Sequence, residues 1–229
     1  MDERSHRKIR SFVRRPGRTT DAQRKALNRL MPNYGIGYSE HLIDFQAAFG
    51  RESQIVLDIG FGNGEALLTA AASNPEIDYL GVEIHQPGIG RLLLLLERAG
   101  LDNVRIVEAD AVEVISNMLA DESLDGVNLF FPDPWPKKRH HKRRFVQPPI
   151  VEQFARVLKP GGRLHLATDW ENYAEHIHEV VDENSKFELL SPEQLGNEAS
   201  SLRPPTKFER RGQSLGHSVW DFVYVRRGR

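Results

Sequence analysis

From Gln54 onward the chain alternates short apolar runs with amphipathic stretches. Ile55 to Gly60 reads IVLDIG, an apolar run ending in glycine, which predicts a buried parallel strand. A helix is expected from Glu65 to Ala72, a second strand from Tyr79 to Ile84, and a helix from Pro87 to Arg98 that Gly100 stops. Val104 to Glu108 predicts a third strand, Ala111 to Leu119 a helix, and Gly126 to Phe131 a fourth strand. A helix opening at Pro148 or Pro149 runs to Leu158, and Lys159 to Gly162 reads as a turn. A fifth strand is expected at Arg163 to Thr168, a helix at Trp170 to Asp182, and a sixth strand at Phe187 to Leu190. Ser191 to Gly216 lacks any period, and Val219 to Val225 alternates as a final strand.

Strand–helix repetition of this kind predicts an α/β fold, a parallel sheet with helices on both faces. Ligands of such sheets bind beyond the carboxyl ends of the strands, so residues just after each strand are the ones to inspect. The period begins only near residue 50. Residues 1–50 read as a basic arm and a short helical lead-in, interrupted at Pro16-Gly17 and Pro32-Asn33, and residues 51–229 as the α/β domain. The first part of the arm is expected to be mobile until an anionic partner orders it.

Composition removes several chemistries. With no cysteine among 229 residues, disulfides, thiolate metal sites and cysteine nucleophiles are excluded. Base methylation at carbon through a cysteine adduct is thereby excluded, and methylation at a nitrogen lone pair is not. The longest apolar run, Leu92 to Leu96, is too short to cross a bilayer, and the charged start lacks a signal-peptide apolar core. A soluble, cytoplasmic protein is expected. The formal net charge is only −1, but its distribution is uneven. Arg4, Arg7, Lys8, Arg10, Arg14, Arg15 and Arg18 face only Asp2 and Glu3 at the start of the chain, and Lys137 to Arg144 reads KKRHHKRR without an acid.

Three acids follow three strands. Asp58 precedes Gly60-Phe61-Gly62-Asn63-Gly64, whose glycines permit a sharp turn and close approach of a ligand to the backbone. The spacing is G-x-G-x-G rather than the G-x-G-x-x-G of dinucleotide sites. Glu83 lies about 20 residues further on, where an acid can accept ribose hydroxyls. Asp110 ends the third strand, within reach of an adenine edge, and Asp58 can hold an ammonium group. Each acid alone is equally a helix N-cap. Together, with no Lys or Arg in the glycine loop, they suit a nucleoside bearing a cationic amino-acid tail better than a pyrophosphate.

Phe130 to Pro136 reads FFPDPWP at the end of the fourth strand. Pro132, Pro134 and Pro136 stiffen the loop around Asp133, and Trp135 offers a flat face to a base. The basic run follows at once. So many like charges beside a ligand site call for an anion such as a phosphate backbone. His140 and His141 without a nearby acid argue against a metal. Asp169, in Thr168-Asp169-Trp170-Glu171, ends the fifth strand, where it is also a potential N-cap. Glu209, in Thr206 to Gly212, is a further acid able to fold over the site.

The run Phe131 to Arg144, FPDPWPKKRHHKRR, closely resembles the signature of the bacterial tRNA (guanine-N7-)-methyltransferases. Arg10-Ser11-Phe12-Val13, Glu83-Ile84-His85 with Pro87-Gly88-Ile89-Gly90, and Thr206-Lys207-Phe208-Glu209 are similar to the same family, so the resemblance spans nearly the whole chain. It implies a Rossmann-like class I methyltransferase domain with an antiparallel last strand. It implies S-adenosyl-L-methionine at Asp58, Gly60, Gly62, Gly64, Glu83, Asp110, Ala111 and Asp133, with Asp133 also catalytic. It implies substrate contacts at Lys137, Asp169, Thr206, Lys207, Phe208 and Glu209, and RNA contacts along Arg139, His140, His141, Lys142, Arg143 and Arg144. The target it implies is a guanine in the tRNA variable loop; no metal, membrane or obligatory protein partner is expected. A small-molecule methyltransferase would leave the basic segments idle. A non-catalytic RNA-binding protein would leave the acids unexplained, and the glycine spacing disfavours a dehydrogenase.

Overall fold

The computed structural model describes residues 17–195, 203 and 218–228. Seven strands form one sheet in the order β3-β2-β1-β4-β5-β7-β6. They are β1 (Gln54–Ile59), β2 (Ile77–Glu83), β3 (Val104–Glu108), β4 (Leu124–Phe130), β5 (Leu158–Thr168), β6 (Phe187–Leu189) and β7 (Trp220–Arg226). Neighbours from β3 to β5 pair in parallel, and β7 runs antiparallel to both β5 and β6. The chain order reverses between β1 and β4, so that junction is the topological switch point.

The α-helices among the described residues are α1 (Asp21–Tyr34), α2 (Phe45–Phe49), α3 (Glu65–Ser73), α4 (Gln86–Ala99), α5 (Ala111–Met118), α6 (Pro148–Val157), α7 (Glu171–Asp182) and the short α8 (Pro192–Leu195). They supply two apolar layers. Ala26 and Leu30 of α1 join Leu67, Ala71, Ile89, Leu92 and Leu96 of α3 and α4 in one core. Val114 and Ile115 of α5, Phe154 of α6, and Tyr173 and Ile177 of α7 join alternate residues of β1, Ile55, Leu57 and Ile59, in the other. Both faces of the central strands are thus covered, as their near-continuous apolar runs require.

Two local expectations change. Pro32 does not interrupt the lead-in: α1 runs through it to Tyr34, opened by a capping box between Thr20 and Gln23. A proline removes one backbone donor, and here the freed carbonyl belongs to exposed Asn28, which water can serve. Lys159 to Gly162 is not a turn ahead of the fifth strand but a bulge within β5. Pairing with β4 jumps from Leu124–Leu158 to Gly126–Arg163, and Gly161 takes a φ of +82°. Lys159 returns to the sheet by pairing with both oxygens of Asp125 at 2.9 and 2.8 Å. No helix among the described residues is long and apolar enough to cross a membrane.

Candidate active site

The glycine loop is built by backbone conformations that a side chain resists. Gly60, Gly62 and Gly64 have φ values of +68°, +56° and +74°. Gly60 donates to Val82 O at 2.8 Å, which ties the loop to the end of β2. There the Glu83 carboxylate accepts from Gly62 N at 2.9 Å and from Ile84 N and His85 N at 2.7 and 3.0 Å. Glu83 therefore shapes the loop. Three accepted bonds leave some of a carboxylate's roughly four acceptor positions open. Helix α4 approaches so closely that a Cβ on Gly88 would stand 2.1 Å from Gly62 O. Gln23 of α1 donates to Pro87 O at 3.0 Å from the other side. The chain also passes close at Gly17, the first described residue, where a Cβ would lie 2.4 Å from His85 Nε2.

Asp58 lies beneath the loop, 6% exposed, with Asn128 of β4 as a hydrogen-bond partner. Burial raises its pKa to about 7; the Asn128 bond opposes the shift and the negative charge of Glu83 reinforces it. No ion pair with a cation stabilises it among the described residues. Such a carboxyl is a poor structural choice and a good receptor for a positive ligand group. Asp110 caps α5, its Oδ1 accepting from Val112 N at 3.0 Å, while Ala111 starts that helix with its side chain packed in the core.

Asp133 stands exposed beyond β4. Phe131 and Trp135 flank it with φ values of +51° and +46°, a region that bulky residues avoid. Strain on both sides of one acid marks a loop held in place by its surroundings. Phe131 N donates to Ala167 O at 2.8 Å, which fixes the loop to β5 just before Thr168 and Asp169. Asp169 does not cap α7: Trp170 stands at the N-cap and makes no side-chain cap bond, and its backbone N donates to Thr168 Oγ1 at 3.2 Å. Asp133 and Asp169 thus follow adjacent parallel strands, β4 and β5, one and two steps across the sheet from Asp58 on β1. Trp170, the residue after Asp169, is 38% exposed.

The basic run forms a 3-10 helix over Lys138–Arg143. Lys137, Lys138, Arg139, Lys142 and Arg143 are exposed. His140 is less basic than an ordinary histidine, first through desolvation and then through Arg139, Arg143, Lys137 and Lys142 around it. It meets Trp135 edge-on at 5.8 Å, while the Arg143 guanidinium lies 5.0 Å from that ring's centre. Arg143 therefore covers one face of the indole expected to receive a base. Arg144, the last residue of the run expected to contact RNA, is placed differently from its neighbours. It is 2% exposed and turned inward onto Pro134 and Asn172. Its position at the end of the run gave no hint of this, since the inward turn depends on acceptors from α7.

Thr206, Lys207, Phe208 and Glu209 lie outside the described residues, as does the arm before Gly17. Arg203 is described. It forms two bonds to Asp221 at 2.7 and 2.8 Å, and its guanidinium lies 5.1 Å from the Phe131 ring. His165 joins the same carboxylate at 2.9 Å. Burial opposes ionisation of Asp221, yet hydrogen bonds from His165 and Arg203 hold its pKa below the usual carboxylate value. Gln23, Gly88, Arg144, Asn172 and Arg203 all shape the site, and sequence reasoning gave none of them that role. Only the Pro87 to Gly90 motif carried a signal, as paired glycines at a helix start.

A parallel sheet with a single reversed strand, a glycine loop after β1 and acids at successive strand ends define a class I methyltransferase. The same fold occurs in a 16S rRNA methyltransferase, KamB, with a TM-score of 0.58, 17% identity, and 82% of this chain and 95% of that one covered. It recurs in an antibiotic-related methyltransferase, with a TM-score of 0.54, 16% identity, and coverage of 83% and 96%. The family described as putative methyltransferase matches residues 52–222. A tRNA (guanine-N(7)-)-methyltransferase of Nitrosococcus oceani is 53% identical over 96% of this chain and 92% of its own. One from Yersinia enterocolitica is 51% identical, with coverage of 98% and 94%. The chain belongs to the tRNA (guanine-N(7)-)-methyltransferase family.

Proposed function

We propose that this protein transfers the methyl group of S-adenosyl-L-methionine to N7 of a guanine in the variable loop of tRNA, in the cytoplasm. The observation that carries the reading is the placement of Asp133. An exposed acid is clamped between two left-handed residues, one strand from the buried Asp58 and beside Asp169. Relatives with about half of their residues identical, over nearly the whole chain, support the target atom.

The residues present fit the cofactor. Asp58, buried and short of a positive partner, receives an ammonium group; Glu83 and the glycine-loop backbone receive the nucleoside's hydroxyls. When bound, S-adenosylmethionine supplies a sulfonium methyl group that a nitrogen lone pair can take without prior deprotonation. Guanine N7 has such a lone pair, so the protein needs no general base there. Its contribution is alignment and electrostatics. The methylated base is cationic, and Asp133 and Asp169 favour that charge as it develops. The same acids accept hydrogen bonds from guanine N1–H and the exocyclic amine, which adenine does not offer in that arrangement. Exposed Arg139, Lys142 and Arg143 meet the phosphate backbone.

The test is transfer of label from methyl-labelled S-adenosylmethionine to unmodified bulk tRNA, followed by nucleoside analysis. Label in 7-methylguanosine is expected. Label in another nucleoside overturns the target atom, and cofactor binding without transfer to tRNA overturns the substrate.

A further inference from the structure

Arg144 differs from every other cation of the basic run. Its Nε donates to Pro134 O at 3.1 Å, its Nη1 to Asn172 O at 3.2 Å and its Nη2 to Asn172 Oδ1 at 2.7 Å. Nη2 also lies 3.2 Å from His141 Nε2. The guanidinium stands 4.9 Å from the centre of the Tyr173 ring. Among the described residues no ion pair gives it a carboxylate. Burial lowers its pKa, because a charge with neutral partners is expensive to keep from water. An uncompensated buried cation is poor evidence of a stabilising device, so the bonds it makes are the reason to look for another role.

Those bonds join two places. Pro134 directly follows Asp133, and Asn172 lies in the first turn of α7, three residues beyond Asp169. Tyr173 adds a second link, its hydroxyl accepting from Val146 N at 3.2 Å just past Arg144. The planar fork of an arginine spans acceptors in two elements, which a lysine ammonium cannot reproduce in the same geometry.

We propose that Arg144 is a positioning residue that sets Asp133 and Asp169 relative to one another across the ends of β4 and β5. It does not contact phosphate. The inference rests on the reading that these two acids act on the guanine.

The test compares Arg144→Gln, Arg144→Lys and Asn172→Ala with Arg143→Gln in the full-length protein. The readouts are kcat, KM for tRNA, the salt dependence of tRNA binding, and thermal unfolding. A misplacement near 1 Å can cost about 100-fold in rate, so Arg144→Gln should lose kcat on that scale with KM and salt slope unchanged. Arg144→Lys should fail to restore kcat although it restores charge. Asn172→Ala, at an exposed position that tolerates substitution, should lose kcat about tenfold while keeping the fold. Arg143→Gln should instead lower the salt slope by about 1.

A slope lowered in Arg144→Gln and recovered in Arg144→Lys would make Arg144 a phosphate contact and overturn the proposal. If Arg144→Gln does not fold, Asn172→Ala decides alone, and its wild-type kcat overturns the proposal. Asp133→Ala separates the two levels of inference. Full activity there sinks the site reading itself, whereas inactivity there with normal turnover in the Arg144 and Asn172 variants sinks only the positioning role.

Discussion

Gly88 of α4 lies so close to the carbonyl of Gly62 that a Cβ would stand 2.1 Å from its oxygen. The neighbour is backbone and cannot swing aside, so one extra methyl group must push the helix from the glycine loop. Gly88→Ala should therefore cost stability by about 1–3 kcal/mol, the range for overpacking. It should also weaken S-adenosylmethionine binding by at least about tenfold, because the loop that Glu83 holds moves with it. Calorimetric titration of the variant checks this, and unchanged affinity would separate α4 from the cofactor loop.

Asp58 predicts a pH dependence of two kinds. Its folded pKa of about 7 exceeds the ordinary value of 3.8. Between those values the folded protein keeps a proton that the unfolded chain has released. The stability contribution of Asp58 is therefore present at low pH, and is lost as pH rises from about 4 through 7. Asp58→Asn should be more stable than the parent at pH 8, by up to a few kcal/mol, and lose that advantage near pH 4.

Cofactor binding should show the opposite preference, since the ammonium group proposed to sit at Asp58 favours its ionised form. Affinity should fall by up to about tenfold per unit as pH drops below about 7, with close to one proton released at pH 6. Titration in buffers of different ionisation enthalpy measures that proton directly. No proton release would remove Asp58 from the ammonium site.

Asp133→Ala should reduce kcat by about 10²–10³-fold, the usual effect of deleting one preorganised electrostatic group. Asp133 is exposed, so the melting temperature should barely change. Single-turnover methylation of tRNA beside a thermal melt distinguishes loss of chemistry from loss of fold.

Removing the charges of Arg139, Lys142 and Arg143 together should lower the slope of log affinity for tRNA against log salt by about 3, roughly one unit for each phosphate no longer neutralised. Cofactor affinity, which the proposed site places across the sheet at Asp58 and Glu83, should stay the same. A slope that does not move would mean the 3-10 helix is not where the RNA backbone lies.

Much of this protein was readable as pattern. The apolar runs at β1 to β5 and the periods of α3 to α7 followed from burial on two faces of a parallel sheet, which local composition records. The acids at strand ends were legible for the same reason, because strand ends in such a sheet are where ligands meet the chain. Glycine spacing announced the left-handed turns at Gly60, Gly62 and Gly64, since few other residues tolerate them. Even the proline stiffening around Asp133 was visible, though not the positive φ of Phe131 and Trp135 that accompanies it.

By itself, then, the sequence determined the strand–helix order, the glycine loop, the acids at strand ends and the basic run, because each depends on residues near one another in the chain. Tertiary structure alone decided which charge of that run faces inward. Arg143 and Arg144 are chemically identical neighbours, yet one stacks on Trp135 at the surface and the other is buried against Asn172 and Tyr173. Their difference lies in acceptors and a ring supplied by α7, some 28 residues further along the chain. Desolvation and hydrogen bonding are set by what the fold brings near, and no local pattern records that.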